Sequence, residues 1–205
     1  MATKGGFDLT ADVLVRFLDK DRYDFTREDL VRFIKAHEVR MLNLNYVGGD
    51  GKLKTLSFAV RSERHLRELL ESGERVDGSS LFKYVDPASS DLYVIPRYPT
   101  AFLNPFTKAP TLNILCAYFD AAGKPLEVAP EQTVRYAQEA LKRAVDLELY
   151  ALGEIEYYAF LPTDGAGLYP ALPQRNYQES EPFVKCKHIN EEAIRILASM
   201  GVRSK

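Results

Sequence analysis

Residues 39–60 read VRMLNLNYVGGDGKLKTLSFAV and carry the clearest structural signal in the chain. Apolar and polar residues alternate on both sides of Gly48-Gly49-Asp50-Gly51, a run that is typical of a turn. The pattern predicts a hairpin with strands over Val39–Val47 and Lys52–Val60. A β-sheet is therefore expected at the centre of the fold.

Helical patterns flank this hairpin on both sides. Apolar residues between Leu9 and Lys20 recur with helical spacing and predict a first helix. Thr26 and Asp29 resemble a capping box, with Asp in place of the usual Glu or Gln, and predict the start of a second helix. Ser62 suits the N-cap of a third helix, which carries three leucines on one face.

Two further strands are predicted over Asp91–Pro96 and Thr111–Phe119, whereas Val76–Ser80 is expected to be irregular. The order of hairpin, helix and strands indicates a small mixed sheet and is compatible with a β-grasp arrangement. Ala121–Pro125 is rich in turn residues and is the preferred domain boundary.

Few elements are predicted beyond this boundary. A helix begins near Pro130, and its apolar stripe is expected to be buried. A strand is predicted over Ala151–Leu161, a loop over Tyr169–Pro182 and a last helix over Asn190–Met200. These elements cannot enclose a core of their own, so the chain is expected to stop inside a domain.

The predicted fold class is α+β, with a small β-grasp-like domain followed by the first elements of an incomplete α+β domain. Residues 1–38 are assigned to a helical lead, residues 39–123 to the β-grasp-like domain and residues 124–205 to the incomplete domain.

Composition narrows the functional classes. Of the 205 residues, 46% are hydrophobic and 27% are charged, and the formal net charge is −2. This balance gives no argument for nucleic-acid binding, and no apolar run is long enough to cross a membrane. The only cysteines are Cys116 and Cys186, without metal-site spacing, so a reducing cytoplasm is the expected location.

Glu154 and Glu156 are the first candidate site residues. Side chains alternate along a strand, so both carboxylates are expected on one face, roughly 6–7 Å apart. Such a pair suits a hard divalent cation, Mg²⁺ or Mn²⁺, which prefers oxygen ligands. Spacing alone leaves open the alternative that both glutamates are hydrated or paired with Lys or Arg.

The second candidate is Asp77-Gly78-Ser79-Ser80. Asp and Ser side chains favour turns because they bond to their own backbone, so this segment can be a self-capped turn. The alternative is a cluster of carboxylate and hydroxyl groups that is presented to a cationic, ammonium-like ligand. Local sequence does not separate the two interpretations.

Five segments in a fixed order resemble the N-terminal region of glutamine synthetases, from the β-grasp domain to the strand that opens the catalytic domain. These are Asp77–Ser80, Ser90–Pro96, Thr100–Phe106, Pro110–Cys116 and Glu154–Phe160. The resemblance implies an ATP-dependent ligase that joins ammonia to glutamate through a γ-glutamyl phosphate, in glutamine biosynthesis.

The resemblance also implies roles for individual residues. Glu154 and Glu156 match metal-ligand glutamates that hold Mg²⁺ or Mn²⁺. Asp77 matches a catalytic aspartate that binds ammonium and helps to remove its proton, and Ser80 lies beside it. The expected partners are glutamate, ammonia and ATP, without nucleic acid or membrane.

In the family that these segments resemble, active sites lie between subunits of a homo-oligomeric ring, and a dodecamer is expected for the intact enzyme. The residues that bind ATP and glutamate would lie beyond Lys205, so the 205 residues alone are expected to be inactive. Val76 and Gly153 depart from the usual motifs, which leaves the subfamily open. A γ-glutamyl ligase for a polyamine, or a binding or assembly module without catalysis, are the alternatives.

Overall fold

The computed structural model describes residues 9–160 and 178–202. Within these two ranges six strands form one sheet, and their bounds are β1 Met41–Val47, β2 Leu53–Ala59, β3 Glu74–Asp77, β4 Asp91–Pro96, β5 Phe102–Leu103 and β6 Thr111–Asp120. The strand order is β2-β1-β6-β4-β3, and β5 pairs with β6. β1 and β6 run parallel, and the other pairs are antiparallel. The predicted mixed sheet is confirmed.

Six α-helices accompany the sheet in the described part of the chain, and their bounds are α1 Val13–Leu18, α2 Arg27–Ala36, α3 Glu63–Ser72, α4 Gly78–Leu81, α5 Pro130–Val145 and α6 Lys187–Ser199. The capping box is confirmed, because Thr26 and Asp29 each accept a hydrogen bond from the other's backbone N–H at the start of α2. Ser62 caps α3, also as predicted.

The first helix is shorter than predicted. The carboxylate of Asp12 accepts hydrogen bonds from two backbone N–H groups at the start of α1, and Asp19 ends the helix in a left-handed conformation. Leu9 lies outside the helix and is fully exposed. Apolar spacing indicated the helix correctly, whereas these two polar residues set its ends.

The core lies between one face of the sheet and helices α1 to α3. Its sheet side is formed by side chains from the three central strands: Leu42, Leu44, Tyr46, Leu92, Val94, Leu112, Ile114, Cys116 and Tyr118. On the opposite face, Asn113 donates a hydrogen bond to Asn45 (2.8 Å), and Asn45 donates to Thr55 (2.8 Å). The alternation in β1 therefore separates an apolar face from a hydrogen-bonded polar face.

The apolar stripe of α5 is not buried, which corrects the sequence prediction. Neither α5 nor α6 contains a buried residue, and Val134 and Val145 of α5 are 64% and 57% exposed. Helical spacing tells which side chains share a face, but it does not tell whether another element covers that face.

The strand predicted over Ala151–Leu161 is also wrong for its described part. Residues 151–160 have no regular secondary structure. A strand is stabilised by hydrogen bonds to a neighbouring strand, and within the described part of the chain no strand pairs with this segment. Residues 161–177, which include most of the predicted Tyr169–Pro182 loop, lie outside the described residues. None of the helices in the described ranges has the length and apolar character needed to span a bilayer.

Candidate functional site

Asp77 stands at the end of an edge strand rather than in an irregular segment, which corrects the prediction for Val76–Ser80. β3 occupies one end of the sheet and pairs antiparallel with β4, so that Asp77 lies opposite Asp91. The chain then turns directly into α4. The sheet therefore fixes the backbone position of this carboxylate, while its side chain is exposed.

Gly78 allows the chain to turn at this point. Its N–H donates to the carbonyl of Ser90 at 2.7 Å, which brings the turn close to the start of β4. A Cβ atom at residue 78 would lie 2.6 Å from the Cδ1 atom of Leu92, closer than packed carbon atoms approach. It would also lie 2.9 Å from the carbonyl oxygen of Ser90, so a side chain at this position would force the turn to shift.

Both oxygens of the Asp77 carboxylate accept hydrogen bonds from the two serines that follow. Oδ1 accepts from the backbone N–H of Ser79 at 3.0 Å and from its hydroxyl at 2.7 Å. Oδ2 accepts from the hydroxyl of Ser80 at 2.5 Å. Asp77 thus caps α4, as the self-capped turn predicts, and the same bonds hold the carboxylate in one orientation.

These hydrogen bonds also stabilise the charged form of the carboxylate. The hydroxyl of Ser80, followed by those of Ser79 and Ser90, holds the pKa of the Asp77 carboxyl well below its usual range. The carboxylate of Asp91, opposite on β4, is bonded to the guanidinium of Arg75 at 3.1 Å. Asp77 is therefore ionised at neutral pH and lies beside a neutralised ion pair.

Aromatic residues anchor the segment that follows Asp77–Ser80, and Asp77–Ser80 is called the acidic loop below. Phe82, directly after α4, is buried and packs edge-to-face on Tyr118 of β6, with 5.1 Å between the ring centroids. The hydroxyl of Tyr84 donates to the carbonyl of Val128, just before α5, at 3.2 Å. The acidic loop is thus attached both to the sheet and to the segment that leads into α5.

Glu154 and Glu156 lie in the exposed segment of residues 147–160, and no strand directs both carboxylates to one side. Hydrogen bonds connect this segment to the helices: Leu149 N–H donates to the Gln138 side chain at 3.0 Å, and the Tyr157 hydroxyl donates to Asn190 of α6. Within residues 9–160 and 178–202, no group of three or more His, Cys, Asp or Glu side chains is arranged to hold a metal ion.

The cysteines do not add a site among the described residues. Cys116 is buried in β6, and burial raises the pKa of its thiol to about 12. It is therefore a neutral core residue. Cys186 is half-buried where the chain enters α6.

The mixed sheet and the helix that follows its first hairpin define a β-grasp domain. The acidic loop on its edge strand presents the carboxylate of Asp77. Residues 38–121 match the family model described as "Glutamine synthetase, beta-Grasp domain". The chain therefore contains the β-grasp domain of the glutamine synthetase family, and the resemblance inferred from the sequence is confirmed.

Curated relatives agree with this assignment. A glutamine synthetase of Methanococcus maripaludis is 24% identical over 180 residues, which are 85% of this chain and 40% of that protein. A glutamine synthetase of Thermotoga maritima is 28% identical over 181 residues, which are 86% of this chain and 40% of that protein. The chain thus spans about two fifths of the length of these curated relatives.

The cryo-EM structure of Plasmodium falciparum glutamine synthetase has a similar fold, with a TM-score of 0.50 at 22% identity. The match covers 58% of this chain and 23% of that chain.

Sequence reasoning placed Asp77, Ser79 and Ser80 together in a self-capped turn, which the hydrogen bonds confirm, but it missed the contribution of Ser90. Serines two and three residues after an aspartate are typical of a capped turn, and this signal does point to Ser79. Ser90 belongs to another part of the chain, and its approach depends on the pairing of β3 with β4. Local sequence contains no signal for that contact.

Proposed function

We propose that this chain is the N-terminal portion of an ATP-dependent ligase that joins ammonia to glutamate and thereby forms glutamine. ATP would phosphorylate the side-chain carboxylate of glutamate, and ammonia would displace the phosphate from this acyl phosphate. The observation that carries the proposal is the ionised, exposed carboxylate of Asp77, held at the edge of a glutamine synthetase β-grasp domain. The names of the relatives support the same chemistry.

Asp77 and Ser80 would receive the ammonium ion. A fixed carboxylate attracts a cation by charge, and a hydroxyl oxygen accepts one of its N–H bonds. Both side chains are exposed, so an incoming cation can reach them without a rearrangement of the loop. The proposed role of this pair is to raise the local concentration of ammonium and to orient it.

Glu154 and Glu156 would contribute to the Mg²⁺ or Mn²⁺ sites. Carboxylate oxygens are the ligands that these cations prefer, and both side chains are exposed and accessible, so the donor chemistry fits. Two carboxylates complete neither coordination sphere, and further ligands are required. A divalent cation supplies charge neutralisation for the phosphate groups of ATP, and these glutamates would hold it where the phosphate is transferred.

The division of the chain into a lead over residues 1–38, a β-grasp domain over residues 39–123 and the start of a catalytic domain over residues 124–205 remains part of this proposal. The acidic loop stands at the edge of the sheet and faces outward, so a second subunit can reach it. We therefore propose a cytoplasmic homo-oligomeric ring, a dodecamer, in which Asp77 serves the catalytic domain of a neighbouring subunit.

The identity of the amine is tested with the protein at the length that its gene encodes. Glutamate, ATP and Mg²⁺ are supplied with ammonium, methylammonium or putrescine, and products are identified by mass spectrometry beside phosphate release. Turnover with ammonium is expected to exceed that with either larger amine by about 100-fold or more, because an amine site shaped for ammonium excludes added carbon atoms.

Two outcomes of this assay contradict the proposal in different ways. Preferential formation of γ-glutamylputrescine would identify a polyamine ligase of the same family. The second outcome is that no ATP-dependent product forms with any of the three amines, although far-UV circular dichroism shows that the protein is folded. This result would favour the binding or assembly module.

A further inference from the structure

The turn between β1 and β2 lies against the end of α4, and this contact carries an inference that rests on the proposed function. The backbone N–H of Gly49 donates to the carbonyl of Leu81, the last residue of α4, at 3.1 Å. A Cβ atom at residue 49 would lie 2.9 Å from that carbonyl oxygen and 2.9 Å from the Cδ1 atom of Phe82. A side chain at this position would therefore force one of the two segments to shift.

Two glycines of this turn stand where they do for different structural reasons. Gly51 has φ +73, which favours glycine, and a Cβ atom there would meet no atom within 4 Å. Gly49 has no positive φ, so the backbone conformation of the turn does not require glycine at this position. The close approach to Leu81 and Phe82 is what a side chain at residue 49 would disturb.

The turn is a firm support for α4. The Oδ1 atom of Asp50 accepts from the backbone N–H of Lys52 at 3.1 Å, and its Oδ2 atom accepts from Nζ of Lys54 at 2.9 Å. The backbone N–H of Gly48 donates to the carbonyl of Lys52 at 3.0 Å and closes the turn. Because β1 and β2 pair along all seven residues of each strand, the position of the turn is tied to that of the sheet.

The same end of β1 also holds α4 through aromatic side chains. The hydroxyl of Tyr118 donates to the carbonyl of Val47, directly before the turn, at 3.0 Å. The Tyr118 ring packs on Phe82 and Tyr46, with centroid distances of 5.1 and 5.8 Å. Phe82 follows α4 directly and is buried. The turn and these rings therefore fix the end of α4, whereas the pairing of β3 with β4 fixes its beginning.

We infer that the β1–β2 turn positions the proposed ammonium site and that Gly49 is the positioning residue through which the turn acts. α4 has only four residues, so a shift of the Leu81 carbonyl displaces Ser80, the residue directly before it. The hydroxyl of Ser80 is bonded to the Asp77 carboxylate, which would be displaced as well. A misplacement of about 1 Å can lower the rate of a reaction about 100-fold, so a smaller shift is measurable.

The inference is tested with Gly49→Ala in the protein at the length that its gene encodes. The half-saturating ammonium concentration should rise about threefold or more, because the added methyl group displaces α4. The maximal rate and the dependence on glutamate and ATP should change by less than about twofold. Gly51→Ala is the control, since it strains the same turn without a contact to α4, and it should leave the ammonium dependence unchanged.

Three kinetic results would overturn the inference. In the first, Gly49→Ala forms glutamine with the ammonium dependence of the wild type. In the second, Gly51→Ala raises the half-saturating ammonium concentration as much as Gly49→Ala does. In the third, Gly49→Ala lowers only the maximal rate, which would indicate a general loss of structure.

A second readout does not depend on glutamine formation. Hydrogen exchange followed by mass spectrometry should show faster exchange of residues 78–85 in Gly49→Ala than in Gly51→Ala, because only the first variant disturbs α4. Equal exchange in the two variants would overturn the inference. The proposed function fails by a different result, namely a wild-type protein that forms no glutamine.

Discussion

Gly73→Ala is expected to lower the free energy of unfolding by more than about 3 kcal/mol. Gly73 joins α3 to β3 with φ +65 and ψ −145, a conformation that residues with a Cβ atom rarely adopt. An added Cβ atom would also lie 2.0 Å from the carbonyl oxygen of Val94 in β4. The substitution therefore forces α3 away from the strand that it covers. Urea denaturation monitored by circular dichroism measures the loss.

Gly51→Ala is the matched control for this prediction. Gly51 also has a positive φ, +73, but its added Cβ atom would meet no atom within 4 Å. Its cost should therefore be limited to the backbone strain, about 1–2 kcal/mol. Equal losses for the two variants would show that the contact with Val94 has no energetic weight and would contradict the packing described for α3.

Arg22→Ala is the second substitution with a large expected effect, a loss of about 3 kcal/mol. Arg22 forms an ion pair with Asp12, and the side chains are 18% and 7% exposed. It also donates to the carbonyls of Pro99, Ala101 and Met200 at 3.0, 2.8 and 2.6 Å. Removal of the guanidinium leaves the buried Asp12 carboxylate without its cation and three carbonyls without this donor, and it removes a hydrogen bond between the N-terminal helices and the end of α6.

Two variants separate charge from geometry at this site. Arg22→Lys keeps the charge but lacks the planar fork of donors, so it should recover only part of the lost stability. Arg64→Ala removes an exposed arginine that pairs with Glu68 on the surface of α3, with side chains 89% and 58% exposed. Its effect should stay below about 1 kcal/mol. If Arg22→Ala and Arg64→Ala had the same stability, the role assigned to Arg22 would be contradicted.

The hairpin, the third helix and strands β4 and β6 were predictable because their apolar residues follow the period of the element that they form. β3 was missed for a physical reason. Its four residues, Glu74 to Asp77, carry three charges, and an edge strand is defined by its partner rather than by its own pattern. The pairing of β3 with β4 is a contact between distant parts of the chain, which local periodicity does not contain.

The segment with Glu154 and Glu156 shows the opposite case. Its alternating sequence predicts a strand, yet residues 151–160 form none, because alternation describes the side chains and not the hydrogen-bonding neighbour that a strand requires. Ile155 and Phe160 are accordingly 91% and 92% exposed. The identity of the two glutamates as metal ligands therefore stays a proposal that rests on the order of motifs.

The acidic loop was predictable in its residues but not in its chemistry. The Asp-Gly-Ser-Ser motif permits two interpretations for Asp77, a self-capped turn and a cation-binding carboxylate. The hydrogen bonds from Ser79 and Ser80 unite them, because the donors that cap the turn also hold the charged carboxylate in one orientation. Sequence spacing alone could not reveal this, since these bonds depend on distances of less than 3 Å between particular atoms.

The central claim is that the charge of Asp77 binds the ammonium that reacts. The most direct test is the ammonium dependence of glutamine formation, compared between wild type and Asp77→Asn at the length that the gene encodes. Asn keeps the shape of the side chain and removes its charge. The half-saturating ammonium concentration should rise at least about tenfold, with the dependence on glutamate and ATP unchanged. An ammonium dependence equal to that of the wild type would contradict the account.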